Sequence, residues 1–188
     1  MAMHVRLEQV GLAVLAAAAY YVTFTLNQYL DPWFLHGQGI SLLFLPDGIK
    51  HVSILQAGRW GALGSFIGLL LMVPTFWPEL SMEQAIPYAA ISTVSTWAGI
   101  ALSMRLMGIR SDLGNMKLLQ LPVIDLVTTL LHAALTNSFF VLAGLKAVND
   151  WNINTLAMMV GDYLGSLCLM VILFLTLQWL PRKAVRTP

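Results

Sequence analysis

Hydrophobic residues dominate six long segments of this 188-residue chain, and polar residues gather in the shorter stretches between them. A helix needs about 20 apolar residues to cross roughly 30 Å of membrane hydrocarbon. The segments that approach this length are 10–30, 39–57, 61–77, 85–107, 121–145 and 153–180. The pattern predicts an all-α fold, a polytopic membrane helical bundle of about six transmembrane helices.

The composition also indicates a membrane protein. The chain is 58% hydrophobic and only 10% charged, with a mean hydropathy of +0.75, whereas soluble domains carry about 25% charged residues. Almost no sequence is left for a soluble domain, so residues 1–188 are predicted to form a single integral membrane domain. The net charge of +1 gives no electrostatic reason to expect a nucleic-acid partner. Cys168 has no second cysteine with which to form an internal disulfide.

The basic residues predict how the chain is oriented. If all six segments cross the membrane, both termini share one side with the turn at Arg59 and the loop 108–120. The Lys and Arg residues on that side are Arg6, Arg59, Arg105, Arg110, Lys117, Arg182, Lys183 and Arg186. The opposite side holds only Lys146. Because cytoplasmic loops carry the Lys/Arg excess, both termini are expected to be cytoplasmic.

Two features of the segments leave alternatives open. Only residues 58–60 separate the second segment from the third, so the two form either a tight hairpin or one bent element. The third and fourth segments carry stripes of small residues, which let membrane helices approach closely. These residues are Gly61, Gly64 and Gly68 in the third segment and Ser92, Ser95, Thr96, Gly99 and Ser103 in the fourth. The stripes indicate close helix packing or, alternatively, a homo-oligomer.

Six ionisable residues fall at membrane depth. A charged side chain at the bilayer centre costs about 2.5–3.5 kcal/mol on insertion scales, so such residues are expected to face the bundle interior and to find partners. The six are Asp47, Lys50, His51, Asp125, His132 and Asp162.

The predicted depths restrict which of these residues can meet. Asp47 and Lys50 are three residues apart and can share a helix face, and Asp162 enters from the same side to a similar depth. We therefore expect these three in one cluster in the outer half of the bundle, while His51 and His132 could meet near its centre. A polar stripe on the fifth helix runs from the cytoplasmic edge past mid-depth, and its members are Asp125, Thr129, His132 and Thr136, with Asn137 beside them.

Each grouping has a structural and a functional interpretation. Lys50 with its acids is either a structural ion pair or the wall of a pocket for a polar ligand. His51 and His132 are either hydrogen-bonded interior imidazoles or axial haem ligands, but no further ligand falls at metal-binding spacing. No metal site or cofactor is therefore predicted. Asp125 either joins a proton relay with His132 and Asp162 or caps the fifth helix after Pro122.

Three stretches resemble one known family, the first type of bacterial membrane-associated sensor domain. FLPDGIKHVSILQAGRWGALGSFIG (44–68) follows the family order of a Pro-x-Gly entry, a small-residue helix and a Gly-rich third helix. VGDYLGSL matches its Gly-Asp-x-x-Gly helix, and LLHAALTNSFFVLAGL matches the helix between them more loosely. The resemblance covers roughly residues 39–177. Within the resemblance, Asp47 and Asp162 are the polar residues that match the motifs of the family.

The resemblance implies a sensory or ligand-binding bundle in the bacterial cytoplasmic (inner) membrane. The chain departs from the family in several respects. Members usually have about eight spans and a cytoplasmic output domain, whereas about six spans and no output domain are expected here. Leu45 replaces the usual tryptophan, and Lys50 and His51 stand where apolar residues are common.

The expected function is that of a stand-alone membrane sensor. It would bind a small ligand in the interior polar site and signal to a separate cytoplasmic partner through the Arg59 turn or the loop 105–117. No phosphate-binding loop or nucleophile elbow is present, so the chain is not expected to be an enzyme. An alternative is the substrate-binding subunit of a vitamin-type transporter, or a proton-coupled transporter, in which Pro46 and Gly48 break the second helix. The third possibility is a structural or assembly protein.

Overall fold

A computed structural model describes residues 2–37, 40–78 and 80–179 of the chain. The fold is all-helical apart from one short hairpin. Its elements in chain order are α1 (Ala2–Phe34), β1 (Leu35–Gly37), β2 (Ile40–Ser41), α2 (Leu45–Ala57), α3 (Arg59–Phe76), α4 (Met82–Leu106), α5 (Gln120–Leu142), a 3-10 turn (Val148–Asp150) and α6 (Trp151–Trp179). The predicted residues Gly39, Leu180, Arg182, Lys183 and Arg186 lie outside the described part.

Within the described residues, five of the six helices are long and apolar enough to cross a membrane, namely α1, α3, α4, α5 and α6. The exception is α2, whose 13 residues reach only about 20 Å at 1.5 Å per residue. The second segment, 39–57, is expected to be interrupted at residues 45–51, but the structure places those residues in α2 and the irregular backbone before them. Residues 40–44 form a strand and an irregular segment instead, because the helix begins only beside Pro46, where proline suits the first turn.

Helices that follow one another in the chain alternate in direction, so α1 and α3 are parallel. Helices α1 and α3 run side by side, because a side chain at Gly64 would meet Ala13 and one at Gly68 would meet Ala17. Asn27 of α1 lies at the start of α2, so α2 returns along α1. Helices α4 and α5 are antiparallel, with Ser95 against His132 and Gly99 against Thr128, and α5 and α6 are antiparallel in turn, with Trp151 against Ser138.

The bundle therefore has two distinct ends. We call the end with the β1–β2 hairpin and the start of α2 the hairpin end. The other end, which holds the α2–α3 turn and the loop 107–119, is the Gly58 end. At that turn Gly58 has φ +55° and ψ −126°, and a side chain at Gly61 would overlap the Ser53 backbone. Helices α2 and α3 were expected to form either a tight helical hairpin or one bent element, and the structure shows the helical hairpin, with its turn at Gly58.

Glycines of α6 hold the irregular entry to α2. The Phe44 N–H donates to the Gly161 carbonyl at 3.0 Å, and the Leu45 N–H donates to Asn27 Oδ1 at 2.9 Å. Side chains at Gly161 or Gly165 would overlap backbone atoms of Ser41 or Phe44. Non-helical backbone at membrane depth is stable only where protein satisfies its polar groups, and these contacts supply that satisfaction.

The packing is inverted relative to a soluble protein. Among the described residues, buried polar side chains outnumber buried hydrophobic ones, while large apolar side chains such as Leu130 and Leu15 point outward. Such a distribution fits a chain whose surrounding solvent is lipid. Two apolar clusters flank the polar interior. One lies towards the hairpin end around Phe24, and the other lies towards the Gly58 end around Ile124.

Candidate functional site

The six ionisable residues at membrane depth meet in the middle of the bundle, and we call them the interior cluster. Helix α2 supplies three of them, α5 two and α6 one. All are buried, with exposed fractions between 0% and 4%. Its members are Asp47, Lys50, His51, Asp125, His132 and Asp162.

Asp47 is the hub of the interior cluster. Its Oδ1 lies 2.6 Å from Lys50 Nζ, and its Oδ2 lies 3.0 Å from His51 Nδ1. Both partners follow Asp47 by three or four residues on α2, so one helix face brings all three together. Lys50 also donates to Ser92 Oγ on α4 at 3.3 Å. Neither Asp47 oxygen has hydrogen-bond geometry, so its attraction to Lys50 and His51 is chiefly electrostatic.

His51 links Asp47 to the fifth helix. Its Nε2 lies 3.3 Å from Asp125 Oδ1, and its Nδ1 also lies 3.0 Å from the Asp47 carbonyl oxygen. The His51 ring is thus held between two carboxylates, one on each side. Asp125 faces this imidazole rather than the first N–H groups of α5, because Asp125 is the sixth residue of a helix that begins at Gln120.

His132 and Asp162 form a second imidazole–carboxylate contact on the hairpin side of Asp47. His132 Nε2 lies 3.6 Å from Asp162 Oδ2, which exceeds hydrogen-bond distance. The other ring nitrogen, Nδ1, lies 3.2 Å from Ser95 Oγ and 3.3 Å from Thr136 Oγ1. The hydroxyls therefore fix the ring plane and leave Nε2 directed at Asp162.

The cluster contains two sets of three residues that could hold a metal ion. Within each set, one potential metal-ligand atom from each residue lies within 4.8 Å of the other two. Asp47, His132 and Asp162 form the hairpin-side set. Asp47, His51 and Asp125 form the Gly58-side set. Asp47 belongs to both, so the two imidazole–carboxylate groups are continuous through it.

The charges of the interior cluster do not balance. Three carboxylates face one lysine, and Lys50 is the only Lys or Arg buried among the residues whose burial is described. With both imidazoles neutral, the cluster carries two excess negative charges. An uncompensated buried charge costs several kcal/mol even after the protein relaxes. The cluster therefore requires two further positive charges, either protons on its histidines and carboxyls or a bound cation.

The sequence-predicted residues meet only in part as expected. Asp47, Lys50 and Asp162 share the cluster, but no ion pair joins Lys50 to Asp162 among the described residues. His51 and His132 do not bond to each other, and Asp47 lies between their two sets.

The remaining predicted residues contact groups other than the six ionisable side chains. Asn137 is buried one turn beyond His132, where it donates to the Ala133 carbonyl and to Met158 Sδ. The Thr129 hydroxyl donates to the Leu126 carbonyl at 3.2 Å. Arg59 is exposed at the Gly58 end, 5.5 Å above the Trp60 ring.

Residues of the small-residue stripe were missed as part of the site. Ser92 and Ser95 were predicted only as packing residues, yet they contact Lys50 and His132. The signal was their helical spacing with Thr96, which places hydroxyls on one face. Asn27 was also missed, although an amide in an apolar segment was a visible signal. Both ring nitrogens of each histidine already face polar atoms, so haem ligation by His51 and His132 would require these contacts to break.

A cavity of about 430 Å³ opens at the hairpin end of the bundle. Its walls include Trp77, Tyr88, Phe140, Lys146 and Met158. Met158 is one turn from Asp162 on α6, so the cavity floor adjoins the interior cluster. Lys146 Nζ lies 4.9 Å from the Phe140 ring centroid, and burial lowers the pKa of Lys146 to about 8.

The fold and the site together define the chain as a membrane-type helical bundle with a buried, charge-imbalanced polar cluster. No protein-family model, curated protein or solved structure matches this chain. The resemblance to the bacterial sensor-domain family accordingly stays a prediction.

Proposed function

We propose that this chain is a membrane sensor or signalling module that binds a small ligand in its interior polar site and signals to a separate cytoplasmic protein. The charge imbalance of the interior cluster is the observation that carries the proposal. A purely structural ion pair needs one acid for each base, whereas three buried carboxylates share one lysine here. Excess buried charge is typical of a site that binds a ligand or exchanges protons.

The proposed arrangement in the membrane uses all six helices. The sixth crossing would consist of the short helix α2 together with residues 40–44, which precede it. The Gly58 end would face the cytoplasm of a bacterial cell, since it carries Arg59, Arg105, Arg110 and Lys117 while Lys146 is at the hairpin end. Both termini would then be cytoplasmic, and the cavity at the hairpin end would open outward.

The proposed signal follows from the position of α2. A ligand entering through the cavity would change the charge or the spacing around Asp47, which lies in the first turn of α2. Helix α2 continues directly into the Gly58 turn and Arg59, so a small shift of α2 would reach the cytoplasmic surface. The loop 107–119 packs there through Ile109 against Ile54 of α2.

Ligand-dependent stabilisation tests this proposal. The purified protein would be heated in detergent with candidate small ligands, as wild type and as Asp162→Asn. A ligand at 100 times its Kd adds about 2.7 kcal/mol to the stability of the wild type and should add much less to the variant. Asp112→Asn is the matched control, because Asp112 is an exposed loop acid paired with Arg110. The proposal fails if no ligand stabilises either form and Asp162→Asn is as stable as wild type.

A second candidate function is proton-coupled transport. Two observations favour it, namely the non-helical residues 42–44 that precede α2 and the continuous series of imidazole and carboxylate groups from Asp125 through Asp47 to Asp162. In liposomes loaded with a pH-sensitive dye, a transporter would move protons when substrate is added, and Asp125→Asn would slow that movement. A sensor would leave the dye signal unchanged in both forms.

A further inference from the structure

We infer that the hairpin-side set of Asp47, His132 and Asp162 binds one divalent transition-metal cation. This inference rests on the proposed function, since it names the chemical class of the ligand that the interior site takes. The three residues come from α2, α5 and α6, so a bound ion would tie these three helices together at one point.

Charge is the first argument. Asp47, Asp125 and Asp162 are buried beside one lysine, which leaves two negative charges when the imidazoles are neutral. One divalent ion cancels both charges and requires no protonated carboxyl group. Two ions, one in each set, would instead leave the interior with two excess positive charges. The balance therefore points to a single ion.

His132 is the second argument, because it is arranged as a metal ligand usually is. Metal-binding histidines have their second ring nitrogen held by a neighbouring polar group, which orients the ring. Here Ser95 and Thr136 hold Nδ1. Nε2 faces Asp162 Oδ2 across 3.6 Å, too far for a hydrogen bond. That oxygen accepts no hydrogen bond, although Asp162 is only 3% exposed.

The Gly58-side set offers a poorer site. Each nitrogen of His51 faces a different carboxylate within 3.3 Å, Nδ1 towards Asp47 and Nε2 towards Asp125, so no single nitrogen faces both acids of the set. The aliphatic cluster of Ile54, Ile100 and Ile124 closes that side of the bundle. The hairpin-side set instead adjoins the cavity, since Met158 lines the cavity one turn from Asp162.

The ligand atoms suit a transition metal better than calcium or magnesium. An imidazole with two carboxylates is typical of zinc, manganese, iron or cobalt sites, whereas calcium and magnesium prefer oxygen alone. A tetrahedral ion with bonds of about 2.0–2.2 Å keeps its ligand atoms roughly 3.4 Å apart. The observed atoms lie within 4.8 Å, so an inward shift of about an ångström would close the set.

Direct metal titration tests the inference. Tag-free protein in detergent would be stripped with a chelator and titrated with Co²⁺, followed by its visible absorption bands, and with Zn²⁺ by calorimetry. We expect one ion per chain and at least about 100-fold weaker binding in Asp162→Asn and in His132→Gln. Asp112→Asn is the matched control, since it is the same change at an exposed loop carboxylate outside the interior cluster, and it should bind within about fivefold of wild type.

Folding must be separated from ligation. Asp162→Glu keeps the carboxylate, so it should bind Co²⁺ within roughly tenfold of wild type even if Asp162→Asn elutes as aggregate in gel filtration. The inference is overturned if wild type binds neither ion, if binding survives both Asp162→Asn and His132→Gln, or if Asp112→Asn loses binding as strongly as they do. If an organic ligand stabilises wild type but not Asp162→Asn while no metal binds, the metal inference fails and the proposed function stands.

Discussion

Replacing Lys50 by methionine should destabilise the protein more than any other single lysine change. Methionine has a similar length and no charge, so the change removes the ammonium with little loss of packing. Asp47 would stay buried at 0% exposure, and its nearest cation would be gone.

The magnitude follows from the distance between the two groups. At 2.6 Å and an effective dielectric constant of about 20, the attraction is about 6 kcal/mol. Part of this is offset because the lysine no longer has to be buried. Measured losses on breaking a buried pair are about 3–5 kcal/mol, and we expect a value in that range. For soluble domains of this size that corresponds to a fall in Tm of roughly 6–20 °C.

Thermal unfolding in detergent, followed by loss of monomeric protein on gel filtration, measures this effect. Lys117→Met is the matched control, because Lys117 is an exposed loop lysine. The double variant Lys50→Met with Asp47→Asn should recover much of the lost stability, since it removes the orphaned charge as well.

Two results would refute the reasoning. If Lys50→Met melts within 2 °C or so of Lys117→Met, the ion pair contributes nothing measurable, as is the case for many exposed pairs. If the double variant is no more stable than Lys50→Met, the loss arises from packing rather than from the charge left on Asp47.

Three further predictions concern the backbone and the cavity. Gly161→Ala should cost about 1–3 kcal/mol, because its methyl group would overlap the Ser41 carbonyl, while Gly11→Ala, with open space around it, should cost nothing in the same melting assay. Gly58→Ala should cost about 1–2 kcal/mol, because φ is +55° there, and an equally stable variant would contradict a strained turn. Lys146→Met should raise Tm at pH 7. Since burial lowers the Lys146 pKa from 10.5 to about 8, wild-type stability rises with pH between these values, and melting at several pH values should show the gain vanish near pH 10.5.

The membrane-bundle class and the segment positions were predictable from the sequence. Each long apolar segment must satisfy its own backbone hydrogen bonds in lipid, and a helix does this locally. The existence of α1, α3, α4, α5 and α6 as spanning-length helices is therefore confirmed. The second segment differed, because its length included residues 40–44, whose hydrogen bonds depend on Asn27 and Gly161.

The meeting of the buried charges was predictable for a related reason. Six ionisable groups cannot face lipid, so the sequence restricts them to one interior. Their partners were less predictable, because depth along a helix does not fix its rotation. Lys50, for which Asp47 and Asp162 were both possible partners, contacts Asp47 and Ser92, and His51 contacts Asp125 rather than His132.

The sequence by itself determined that this chain is a membrane-type bundle of helices with its charges inside, since hydrophobic length and the cost of burying charge act residue by residue. Only the tertiary structure decided which helix faces meet. Because of this packing, Asp47 belongs to both sets, and two hydroxyls contact Nδ1 of His132. The packing also forms a cavity lined by Met158, one turn from Asp162. Such contacts join residues far apart in the chain, and their geometry depends on how all six helices pack together.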